Sequence, residues 1–229
     1  MTLPRFSSAL AGAAALLVAA CSPADARALP DPAPQPARAI SAAVTLDTAV
    51  FAGGCFWGVE AVFRHIRGVT SSVSGYAGGR ASSPTYDDVS SGSTGHAESV
   101  RVIYDPAVVS FGTLLKVFFS VAHDPTELNR QGPDVGTKYR SAIFYRGDVQ
   151  AKAVRDYIAQ LADAKVFRSK IVTEVAPLAK FFVAEDYHQN YLALHPSQPY
   201  IVYNDLPKLD ALKRQFAAIY REDGIAAAR

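Results

Sequence analysis

The order in which hydrophobic periodicities alternate along this chain is its strongest constraint on folding. Ala43 to Ala52 reads as a strand. Val59, Val62, Phe63 and Ile66 then repeat with the three-and-four spacing of an amphipathic helix. Val69 to Ser74 reads as a second strand. A third, Ser99 to Tyr104, alternates Val100, Val102 and Tyr104 inward and stops at Asp105-Pro106. Ser110 is a good N-cap for a helix carrying Phe111, Leu114, Leu115, Phe118 and Phe119 on one face. The pattern continues with a strand from Ser141 to Tyr145, a helix from Asp148 to Asp163, a strand from Ile171 to Val175 and a helix from Pro207 to Tyr220. The order β-α-β-β-α-β followed by additions is the split βαβ pattern. It predicts an α+β fold, a ferredoxin-like two-layer sandwich with C-terminal extensions. Two polar stretches, Gly75 to Gly95 and His123 to Lys138, are too long for simple connectors and are candidate functional loops.

Cys55 lies at the first strand-to-helix turn, inside Gly54-Cys55-Phe56-Trp57-Gly58. Gly53 and Gly54 allow a sharp turn and a close approach of backbone to a reacting group. Unpaired N–H groups and the helix dipole favour an anion at such a position. The expectation is therefore a lowered thiol pKa and a reactive thiolate. The alternative is a small buried hydrophobe, because free cysteines are among the most buried residues.

The chain opens with Arg5, an apolar run from Ala9 to Ala20, and Cys21. The run is too short to span a bilayer but has the length of a signal-peptide core. Val18-Ala19-Ala20-Cys21 looks like a lipobox, whose cysteine becomes the lipidated first residue. Ala24-Asp25-Ala26 alternatively fits ordinary cleavage after Ala26. Both readings predict export, to the periplasm of a Gram-negative bacterium, and the lipobox adds a membrane tether through an N-terminal lipid anchor. Residues 22–40 are rich in Pro and Ala and read as an extended, disordered tether. Residues 41–229 read as one catalytic domain, expected to be a monomer because no exposed apolar stripe is evident. A formal net charge of +2 without basic runs argues against nucleic acid as a partner. Cys21 and Cys55 are the only cysteines, so the folded part cannot hold an internal disulfide. A lone thiol in an exported domain points to a partner chain or to reactivity.

Three stretches could serve that thiol. His96 and Glu98, two apart, would share one face of a strand. A carboxyl enclosed there by aromatics would have a raised pKa and could act as a general acid; a solvated strand-end glutamate is the alternative. Tyr86 and Tyr139 offer hydroxyls able to stabilise charge on oxygen, or simply pack. His123, His188 and His195 read as capping or packing histidines, and no spacing suggests a zinc site.

The five residues at 54–58 resemble the active-site signature of the A-type peptide methionine sulfoxide reductases. Further blocks agree with that family in order: Ser74 to Gly79, Pro84-Thr85-Tyr86, Thr94 to Glu98, His123 to Thr126, Gln131 to Gly136, Tyr139-Arg140-Ser141 and Glu185 to Tyr191. The resemblance covers about Val44 to Tyr200. It implies that Cys55 attacks the sulfoxide sulfur, that neutral Glu98 protonates the oxygen, and that Tyr86 and Tyr139 hydrogen-bond it. Phe56 and Trp57 would wall the substrate methyl, and Asp134 matches a supporting position. Family members act on the S epimer of methionine sulfoxide, free or within proteins, without a bound cofactor. The reaction leaves a sulfenic acid on Cys55.

Many relatives carry recycling cysteines near the carboxyl terminus, whereas no cysteine follows Cys55 here. The expectation is direct reduction of the sulfenic acid by an external thiol or a thioredoxin-like partner. Two rival readings stand beside this one. Cys55, His188 and Asn204 fall near papain-like spacing, but the local cysteine signature of that class is missing. A non-enzymatic lipoprotein using the aromatic turn for binding would keep its function after Cys55→Ser.

Overall fold

The computed structural model describes residues 29–34, 46–80, 82 and 84–225. The expected leader, Cys21 and the start of the first strand at Ala43 lie outside them. The elements run β1 (Asp47–Gly53), α1 (Phe56–Arg64), β2 (Val69–Ala77), α2 (Tyr86–Ser90), β3 (Ala97–Tyr104) and α3 (Phe111–Val117). They continue with the short hairpin β4 (Arg130–Gln131) and β5 (Asp134–Val135), then β6 (Ser141–Tyr145), α4 (Gly147–Asp163), β7 (Glu174–Pro177), β8 (Phe181–Val183), α5 (Tyr191–Leu194) and α6 (Leu206–Gln215).

The large sheet has the order β7-β6-β1-β3-β2-β8. Its four central strands, β6-β1-β3-β2, are antiparallel neighbours throughout, which is the split βαβ arrangement. β7 adds in parallel beside β6, and α4 makes the crossover that a parallel pair requires. β8 closes the other edge against β2.

Alternation along β1 divides the core. Ala49 and Phe51 enter the large cluster under the helices, where Phe51 stacks on Phe63 of α1 at 4.7 Å. Val50 and Ala52 face a smaller cluster with Ala97, Ala142 and Phe144. β1 is thus apolar on both faces, and burying each such phenylalanine contributes about 2 kcal/mol. Ser110 caps α3 as expected, its hydroxyl accepting from the Thr113 N–H at 3.0 Å.

Several boundaries differ from the sequence reading. The stretch from Gly75 to Gly95 is not all loop. β2 runs on to Ala77, and Thr85 opens α2 with a reciprocal capping box to Asp88. The 123–138 segment holds the β4–β5 hairpin and a 3-10 turn at Thr137–Tyr139. The strand expected at Ile171 to Val175 lies at Glu174–Pro177, because partnership with β6 rather than local propensity sets its register. The last helix ends at Gln215, and a π-helical turn, Ile201–Asp205, precedes it.

The tether also differs where it is described. Leu29 is buried in the core cluster, and the Tyr157 hydroxyl donates to the Pro30 carbonyl at 2.9 Å. Gln160 donates to the Asp31 carbonyl at 2.9 Å, and Lys116 pairs with the Asp31 carboxylate at 2.7 Å. Residues 29–34 therefore form a strap across α3 and α4. The strap lines a cavity with Asp47 and Tyr104, at the start of β1 and the end of β3. Cys55 follows the opposite end of β1. A strand of this length spans about 20 Å, so strap and cysteine occupy opposite poles of the sheet.

Candidate active site

Cys55 is the N-cap residue of α1, and its own side chain caps no backbone group. The turn that presents it needs glycine at Gly54, whose φ is +87° and where a Cβ would fall 2.6 Å from Gln131 Cβ. Cys55 is buried, 7% exposed. The thiol differs from expectation. Its pKa is pushed well above the usual value by burial first, then by the negative charges of Glu98 and Asp205. The Trp57 N–H and the Lys208 ammonium act the other way but are outweighed. A helix N-terminus favours a thiolate only when desolvation does not exceed it. The resting group is the neutral thiol.

Glu98, in β3, reaches the same turn. Its Oε2 accepts the Phe56 N–H at 3.1 Å, so the carboxyl is bonded to the residue next to Cys55. Burial pushes its pKa up to about 7, against the pull of Lys138, whose ammonium lies 3.6 Å from Oε1, and of the Phe56 N–H. Near neutrality the group is poised between acid and base, as proton transfer at that pH requires. His96, read as a partner on the same face, instead accepts the Gly79 N–H at 3.0 Å and packs edge-on against Phe182.

Tyr86 and Tyr139 converge over Lys138. Its ammonium sits 4.9 Å from one ring centroid and 4.8 Å from the other, and donates to Ser90 at 2.8 Å. Both phenols are pushed up by burial and then by the charge of Glu98, so they stay protonated donors. The Tyr86 backbone N–H is held by Glu185 at 2.8 Å, which also takes the Tyr76 hydroxyl at 2.7 Å.

Phe56 and Trp57 line the apolar side. Trp57 stacks on Tyr191 at 3.8 Å and donates its indole N–H to His188 Nδ1 at 3.2 Å. Phe56 lies 4.9 Å from the His188 ring. Burial pushes His188 below its usual pKa, so a neutral ring supports both aromatics. Asp134 accepts the hydroxyl of Tyr200, which meets Trp57 edge-on at 5.9 Å. Buried Glu60 ties the base of the site together, accepting from Ser74 Oγ at 2.7 Å and from the Asn190 N–H at 3.0 Å.

The papain-like grouping is not assembled. His188 Nδ1 is taken by Trp57, and the Asn204 amide donates to the Tyr200 carbonyl. Among the described residues, no group of three His, Cys, Asp or Glu side chains is placed to hold a metal ion.

Sequence reasoning missed Lys138, Tyr200, Asp205 and Lys208, and gave Tyr191, the end of the block from Glu185, no role. Lys138 was within reach, since it immediately precedes Tyr139. The last three arrive by a π-helical turn that Tyr200 opens and by the first turn of α6, whose path no local pattern announces.

Comparison with known proteins places this geometry. A family model described as peptide methionine sulfoxide reductase matches residues 47–220. The chain is 54% identical over 176 residues to the peptide methionine sulfoxide reductase MsrA 2 of Mesorhizobium japonicum, covering 77% of this chain and 90% of the relative. It is 47% identical over 191 residues to a protein of the same description from Synechocystis, covering 83% and 89%. Among solved structures, methionine sulfoxide reductase A of Corynebacterium diphtheriae superposes with TM-score 0.59 at 39% identity, over 75% of this chain and 85% of that one. Reduced Mxr1 of Saccharomyces cerevisiae gives 0.61 at 35% identity, over 67% and 87%.

Proposed function

The chain belongs to the peptide methionine sulfoxide reductase family, and from that premise we propose that it reduces the S epimer of methionine sulfoxide, free or in exported proteins, through Cys55. The observation that carries the reading is the hydrogen bond from the Phe56 N–H to Glu98. It joins a carboxyl with a pKa of about 7 to the turn of a lone cysteine. Glu98 gives its proton to the sulfoxide oxygen, and Tyr86 and Tyr139 hydrogen-bond that oxygen. Protonation of the oxygen makes the sulfur electrophilic and lets the Cys55 sulfur attack it. The substrate sulfur gains two electrons and leaves as the thioether. Cys55 loses two, and keeps the oxygen with one proton as a sulfenic acid.

Once Glu98 is protonated, its negative charge no longer opposes ionisation of Cys55, so binding of a proton at one group eases its loss from the other. Phe56 and Trp57 form the wall against the substrate methyl, and Asp134 fixes Tyr200 beside them. The cycle then needs two further thiol electrons. Two external thiols, or one dithiol of a thioredoxin-like donor, become a disulfide and release the sulfenic oxygen as water.

Export as a lipoprotein, a single catalytic domain and a monomeric state complete the proposal. The apolar run ending at Cys21 supports the first of these. The strap supports a further point: an anchor on its amino-terminal side would hold the molecule with Cys55 facing away from the membrane. The test is turnover of separated S and R epimers of a methionine sulfoxide peptide with dithiothreitol, wild type beside Cys55→Ser. Activity on the S epimer alone, lost in the variant, is expected. Activity kept in the variant would remove Cys55 from the reaction, and no activity on either epimer would leave the binding-module reading.

A further inference from the structure

The Asp205–Lys208 ion pair has no part in the chemistry above, yet it presses on the nucleophile's own helix. Asp205 ends the π-helical turn and Lys208 lies in the first turn of α6. Their Oδ1 and Nζ are 3.0 Å apart, with the Asp205 side chain fully buried and that of Lys208 22% exposed. A Cβ on Gly58 would fall 2.1 Å from Asp205 Oδ1 and 2.9 Å from Lys208 Nζ. Gly58 is three residues beyond Cys55, so the pair replaces a side chain against the turn that presents the thiol. Asp205 Oδ2 is buried and has no hydrogen-bond partner among the described residues. Such a carboxylate is tolerated only beside a cation.

The charges facing Cys55 make this placement consequential. Glu98 approaches from β3, Tyr86 from α2, Tyr139 from the 3-10 turn, Tyr200 from the position that opens the π-helical turn, Asp205 from the end of that turn and Lys208 from α6. Asp134 adds its charge to Glu98 and Asp205, and Lys138 is engaged with Glu98. Lys208 is the cation among these groups that acts on the sulfur itself.

We propose that Lys208, held against Gly58 by Asp205, is a positioning cation for Cys55, stabilising the negative charge on sulfur as the attack begins. The inference rests on Cys55 being the nucleophile. Lys208→Gln keeps a hydrogen bond to Asp205 without the charge, and Lys208→Arg keeps both. The probe is iodoacetamide alkylation of Cys55 in the full chain as a function of pH, with single-turnover reduction measured alongside.

Lys208→Gln should move the alkylation midpoint to higher pH, with severalfold less thiolate below it. Single turnover should fall by a similar factor near neutrality and recover in alkali, while Lys208→Arg stays close to wild type. An unchanged alkylation profile, or a loss of activity by one factor at every pH, would overturn the proposal. Because alkylation needs no sulfoxide, a shifted midpoint in a protein that reduces no sulfoxide would count against the proposed reaction and not against Lys208.

Discussion

Replacing Glu98 with glutamine should alter stability with pH in the direction opposite to an ordinary paired carboxylate. Burial raises Glu98 from 4.5 to about 7. The folded state then binds a proton more tightly than the unfolded chain does between those values. Stability attributable to this group is complete below pH 4.5, declines as pH rises toward 7, and stays lost above it. A shift of about 2.5 units corresponds to about 3 kcal/mol. Glutamine can still accept the Phe56 N–H but never ionises. The difference in unfolding free energy, variant minus wild type, should therefore grow by about 3 kcal/mol from pH 4 to pH 8. Urea titrations at a series of pH values measure it, and most other titrations cancel in the difference. A flat difference, or one that shrinks with rising pH, would mean that Glu98 is not held protonated by burial. Sulfoxide reduction in the same variant should fall by a factor on the order of a hundred or more.

His123 should show the reverse slope. Burial pushes it down to about 4 from 6.5, and its ring bonds Ser141 at 2.7 Å and the Phe118 carbonyl at 3.1 Å. Wild type should lose about 3 kcal/mol relative to His123→Gln as pH falls from 6.5 to 4, again by urea titration. Tyr86→Phe and Tyr139→Phe should each slow sulfoxide reduction by a factor on the order of ten to a hundred, with little change in peptide binding, in steady-state assays. The strap should matter to stability alone. Tyr157→Phe removes its bond to the Pro30 carbonyl and should cost about 1 kcal/mol, while Leu29→Asp should cost more and speed hydrogen exchange across residues 29–34. Turnover should be unchanged in both.

The central four strands were legible because their partners reinforce local pattern. β1 and β3 are apolar runs that pair in register from Asp47–Tyr104 to Phe51–Val100. Cys55, Glu98, Tyr86 and Tyr139 were legible as residue types in short blocks, although their convergence depends on the sheet. β7 was legible as a strand but expected three residues too early, because its pairing with β6, and not its propensity, sets its position. The sign of the shift at Cys55 escaped for a related reason. A helix N-terminus can be read locally, but the enclosing Glu98 and Asp205 arrive from residues 43 and 150 positions further along the chain. The strap escaped because Pro and Ala carry little sequence signal, whereas its anchoring rests on Leu29, on two backbone carbonyls and on the Asp31 carboxylate.

The most direct test of the account is one turnover without reductant. Enzyme mixed with excess S sulfoxide should yield one methionine per chain, and intact-mass analysis should find a single added oxygen that dimedone traps at Cys55. Methionine formed without an oxygen on Cys55, or a thiol that stays unmodified while product appears, would contradict it.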